Sequence, residues 1–105
     1  MMRQIEVGKL PDGALDAAGT VMAFHLEAAR AALADADCSA LAIILPPANH
    51  DHREWRLALA RDLAREAAPK RVNLVAGLPG DARAEVLRFL ADAPGVTGHY
   101  LVCHE

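Results

Sequence analysis

The sequence predicts an α/β domain of three or four mostly parallel strands sandwiched by helices. Three observations carry that reading. Strand-like and helix-like stretches alternate along the chain, beginning with a weak strand and ending with a clear one. Each pair of strands is separated by a helical pattern, and parallel strands need such a crossover where antiparallel ones need only a hairpin; right-handed crossovers are expected. The chain has 105 residues with no repeat, low-complexity tract or dividing linker, so residues 1–105 read as a single domain.

The weak strand, Gln4 to Val7, stops at Gly8 and a Pro11-Asp12-Gly13 turn. A long helix follows from about Leu15 to Leu33. At about 100° per residue, its positions Val21, Phe24, Ala28, Ala32, Ala18, Met22, Leu26, Ala29 and Leu33 fill an apolar arc of about 200°. One sheet face cannot use all of that arc, so a second packing partner is implied. His25 falls inside the arc and is expected away from bulk water. The next strand, Leu41 to Leu45, ends at "PPANHDH", where Asp51 and Glu54 resemble a capping box opening a helix to about Ala68. On that helix Leu59, Ala60 and Leu63 share a face, with Arg53 and Arg56 near its start facing a cleft, an interface or solvent. Pro69 and Lys70 stop it. "RVNLVAGLPG" gives a third strand and a tight turn, Asp81 to Ala91 a short helix with Asp81 at its N-cap, and His99 to Cys103 a last strand after a Pro94-Gly95 turn.

Composition narrows the function. A formal net charge of -3 and 4% aromatic residues supply neither the basic stripe nor the stacking platforms of a nucleic-acid binder. "MMRQIEVGKL" lacks the apolar core of a targeting peptide, and no window approaches about eighteen apolar residues, so no membrane partner and a cytoplasmic protein are expected. Cys38 and Cys103 have no paired spacing and read as reduced core thiols. His50, Asp51, His52, Cys103, His104 and Glu105 are all possible metal ligands, but His-x-His at a helix start does not converge on one face, and no metal is expected. The Gly77–Gly80 turn reads as a turn rather than an anion cradle, because Asp81 follows it.

"LARDLAREAAPKRVNLVAG" resembles the helix-to-strand run of short-chain dehydrogenase/reductases, "AEVLRFLADAPGVTGHYLV" is similar to that family's closing stretch, and "DAAGTVMAFHLEAARAAL" to its long helix. The resemblance covers the chain from about Asp16 onward and corresponds to the family's C-terminal half. It implies a Rossmann-like half-domain. The family's glycine-rich dinucleotide loop has no counterpart here, which removes the usual seat of the cofactor pyrophosphate. Its general-acid tyrosine and partner lysine fall on Asn49 and Arg53, and the asparagine of its long helix on Asp16. An amide cannot replace a phenol whose pKa is lowered by an ammonium, and a guanidinium does not exchange protons near neutral pH.

The expectation is therefore a catalytically inactive protein with no cofactor, NAD(P) included. A remnant cleft is expected around Pro46, Asn49, His50, His52, Arg53 and Gly77. Its action would be association, with itself or with a partner enzyme. The resemblance implies a homodimer through the two long helices, with Phe24, His25, Ala28, Ala32 and Trp55 in the interface and small residues such as Ala17 and Ala31 permitting close approach. The alternative is a minimal nucleotide-binding or oxidoreductase-type subunit working through Arg53, His50 and His52.

Overall fold

The computed structural model describes residues 1–104. Its elements are β1 (Met2–Glu6), α1 (Ala14–Phe24), α2 (Leu26–Ala34), β2 (Ala40–Leu45), a 3-10 turn (His50–His52), α3 (Arg53–Ala67), β3 (Arg71–Ala76), α4 (Asp81–Ala91) and β4 (Tyr100–Val102). The four strands form one parallel sheet in the order β1-β2-β3-β4. This is an α/β, Rossmann-like arrangement. Among the described residues no helix is long and apolar enough to cross a membrane.

The core follows from strand composition. All six residues of β2, ALAIIL, are buried, as are five of the six in β3, the pattern of strands covered on both faces. Register aligns Ile5, Ile43, Leu74 and Tyr100 across the sheet. That row packs with Val21, Ala29, Leu33, Leu59 and Leu63, so α1, α2 and α3 cover one face. Each large aliphatic side chain buried there contributes about 1.5–3 kcal/mol. The alternate strand residues face α4: Arg71 of β3 donates to the α4 carbonyl of Leu90, and Arg83 of α4 donates to Glu6 of β1.

Two right-handed crossovers were expected to be followed by a third, and the last one departs from this. Strand order advances without reversal, yet α4 lies on the opposite face from the other helices, so the β3-α4-β4 connection has the opposite hand to its predecessors. The cause is coverage. β2 and β3 are apolar on both faces, three helices already fill the first, and α4 is the helix left for the second.

Other boundaries differ locally. The expected single long helix is two, broken at His25 (φ −124°, ψ −19°), although backbone bonds from His25 to Val21 and from Ala29 to His25 carry the helical direction through. His25 is half-buried at this break rather than sequestered from water. The expected capping box at Asp51 and Glu54 is replaced by Asn49, whose side-chain oxygen accepts the Asp51 N–H at 3.0 Å. Gly80, not Asp81, is the N-cap of α4, and Asp81 opens the helix.

The C-terminal β3-α4-β4 unit is held by the polar residues of "RVN" and "VTG". Arg71 Nη1 donates to the Leu90 and Ala93 carbonyls at 2.7 and 2.9 Å. Asn73, 2% exposed, donates to Val96 and accepts from His99 N–H, both at 3.0 Å. Thr97 Oγ1 accepts from Val72 N–H, and Gly98 then turns at φ +75°, a left-handed conformation natural to glycine.

Candidate functional site

The carboxyl ends of the strands form the cleft, as expected for an open parallel α/β sheet. After β2, Pro46 and Pro47 cannot donate backbone hydrogen bonds, so the chain leaves the sheet and Pro46 presents a carbonyl oxygen inward. Arg56 Nη1 donates to it at 2.9 Å and to the Tyr100 hydroxyl at 3.0 Å. The guanidinium carbon lies 5.3 Å from the Trp55 ring centroid and 5.7 Å from that of Tyr100. Arg56 is 1% exposed, and its buried Nε has no hydrogen-bond partner. Every contact of this cation is therefore neutral, and the ion pairs among the described residues involve Arg3, Arg30, Arg65 and Arg83 instead.

His52, expected in the remnant cleft, is 5% exposed. Its Nε2 lies 2.9 Å from the Asp12 carbonyl and its Nδ1 accepts from the Trp55 indole N–H at 3.2 Å. Because the indole only donates, Nδ1 is the bare nitrogen and Nε2–H donates to Asp12. The ring thus latches the loop after β1 onto α3, and neither nitrogen is left for proton transfer.

The remaining expected residues divide between two adjoining cavities. One, of about 370 Å³, is lined by Asn49, His50 and Arg53 together with Tyr100 and His104. The other, of about 350 Å³, is lined by Pro46, Asn49 and His52 together with Lys9, Asp12 and Arg56. Asn49 spends its side-chain oxygen on capping. His50 and Arg53 are exposed, and Asp16 is exposed in the first turn of α1, where a carboxylate suits the helix N-terminus. Gly77, expected in the cleft, lines neither cavity; it is buried against the residue that follows β4, where a Cβ would lie 2.9 Å from both Cβ and Sγ of Cys103. Glu105, weighed as a metal ligand, lies outside the described residues.

A third cavity, of about 280 Å³, runs between the α1/α2 pair and α3, lined mainly by Ala18, Met22, Leu26, Trp55, Ala58, Leu59 and Leu63. Arg30 closes one end with a two-point ion pair to Glu66, at 2.8 and 3.1 Å, that holds the Glu66 carboxyl below its usual range. Of the expected interface residues, Trp55 lines this groove, Phe24 is 76% exposed, Ala28 is exposed, and His25 and Ala32 are half-buried. Ala17 is fully buried and leaves the expected stripe, while Ala31 stays exposed.

Sequence reasoning noted Arg56 but did not place it in the site, and it missed Lys9. A signal for Arg56 was present, because it precedes Leu59, Ala60 and Leu63 by three, four and seven positions and so shares their buried stripe.

A parallel sheet with helices on both faces and a cleft at its carboxyl edge defines a Rossmann-like α/β protein. The chain matches the short chain dehydrogenase-like protein family over residues 5–103, and it belongs to that family. Neither the curated proteins nor the solved structures gave a match to it.

Proposed function

We propose that this chain acts by association rather than catalysis, as a short-chain-dehydrogenase-like half-domain that pairs with a second copy of itself across α1, α2 and α3. The observation that carries the reading is the open apolar groove between those helices, lined by Met22 at 51% exposure, with Phe24 at the end of α1 a further exposed apolar side chain at 76%. Exposed large apolar side chains beside an unfilled groove favour a packing partner. The charges at the groove are paired within the chain, Arg30 with Glu66 and Asp62 with Arg65, so what the groove offers is its apolar lining, which the same surface of a second copy can cover across a two-fold axis. Catalysis is disfavoured by the residues themselves. Asn49 is a cap, and the one tyrosine of the chain, Tyr100, shares a cavity with Arg53 but has its hydroxyl hydrogen-bonded to Arg56.

Sedimentation at micromolar concentration tests the pairing. Wild type is expected at twice the 11.2 kDa chain mass, and Met22→Glu, an exposed position in the groove lining, is expected to shift it to one chain. A wild-type monomer overturns the proposal. The same preparations should leave nicotinamide absorbance flat with short-chain alcohols and ketones.

A further inference from the structure

We infer that the cavity at the carboxyl ends of β1 and β2 is a binding site for a small oxyanion, the carboxylate or phosphate group of a compact ligand, held by Arg56 and Lys9. Burying a guanidinium is costly unless a counter-charge or a full set of acceptors meets it. Arg56 has one carbonyl, one phenol and two ring faces, while its Nε is unpaired. Two hydrogen bonds from Nη1 and two rings fix the position of the head group, so it sits pre-oriented at the wall of a cavity of about 350 Å³. Preorganised guanidinium donors suit carboxylate and phosphate oxygens.

Lys9 is the second, independent observation. It lines the same cavity from the loop after β1 and enters no ion pair among the described residues. That loop is pinned to the start of α3 by the His52–Asp12 bond, which fixes the segment carrying Lys9 to the turn that leads into Arg56. Asp12 is the one acid in the lining, and it stands against two cations. The cavity volume suits a compact ligand rather than a dinucleotide. The site does not depend on pairing through α1, α2 and α3, because its lining comes from the strand-end loops and the start of α3.

Inorganic phosphate, acetate and chloride titrated at constant ionic strength test the site, read by thermal unfolding and by the NMR signal of the Trp55 indole N–H beside Arg56. Saturable stabilisation and a saturable indole shift with phosphate or acetate but not chloride are expected. Lys9→Gln, at an exposed position, should weaken either by roughly tenfold, and Arg56→Met should abolish both responses. Should Arg56→Met fail to fold, Lys9→Gln still decides. No saturable response to phosphate or acetate in wild type, or an unchanged affinity in Lys9→Gln, overturns the inference. Which of the two anions binds more tightly assigns the ligand group. Sedimentation in the same buffers keeps the result separate from the pairing proposal.

Discussion

The β3-α4-β4 unit and the cleft at the ends of β1 and β2 use polar side chains in opposite ways. In the first, Arg71, Asn73 and Thr97 each meet a backbone partner of the same unit. In the second, a buried arginine meets only neutral groups, and lysine, arginine and histidine line the walls without an ion pair among the described residues. Polar groups satisfied internally hold a fold; charged groups left without a counter-charge hold capacity for something else. Substitutions in the first region should therefore change stability, and substitutions in the second should change ligand response.

The largest effect is expected at Asn73. Asn73→Leu strands the Val96 carbonyl and the His99 N–H, and a loss of about 2–4 kcal/mol in urea unfolding is expected from two broken buried bonds. A loss well under about 1 kcal/mol would mean that the turn before β4 does not depend on this residue. Next comes Gly77→Ala, which drives a methyl into Cys103 and is expected to cost about 1–3 kcal/mol. Adding Cys103→Gly should restore much of it, because the clash is with that side chain. An unrecovered double variant would move the cause elsewhere.

His52→Leu is expected to cost about 1–2 kcal/mol by leaving the Asp12 carbonyl and the Trp55 indole unpaired. It should also loosen the loop that carries Lys9, so phosphate response falls more than stability alone predicts. The smallest effect belongs to Glu66. Arg30 holds its folded-state pKa below the ordinary carboxylate value, so the contribution is present above that value and fades as pH falls through the folded-state one. Glu66→Gln should flatten the acid limb of a melting-temperature profile slightly, as befits an exposed pair. An unchanged limb would show the ion pair to be neutral for folding.

What was legible in the sequence follows the same division. Alternating helical and strand patterns, together with "RVN" and "VTG", marked the sheet, and α4 was placed at Asp81 to Ala91 as observed. These features are local, set by periodicity and turn chemistry. The break at His25 was not legible, since nothing in the helical arc marks where one helix becomes two. The hand of the last crossover was equally hidden, because it depends on which face earlier helices have already filled. In the cleft, His50 and His52 look alike in sequence, yet one is exposed and the other is latched to Asp12 across forty positions of chain. Partners so distant leave no local pattern.

Lys70 and Arg71 are neighbours, yet they serve opposite layers. Lys70 Nζ donates to the Leu33 and Asp35 carbonyls at the end of α2, and Arg71 to those of Leu90 and Ala93 at the end of α4. Both place positive charge against the negative ends of helix dipoles. Two consecutive residues thus rivet both layers to the sheet at the entry end of β3, the end away from the two cavities at the strands' carboxyl ends. Breathing of the layers is then hinged: the base stays shut while the mouth opens, and amide exchange should run from the strand-end loops inward rather than uniformly through the molecule.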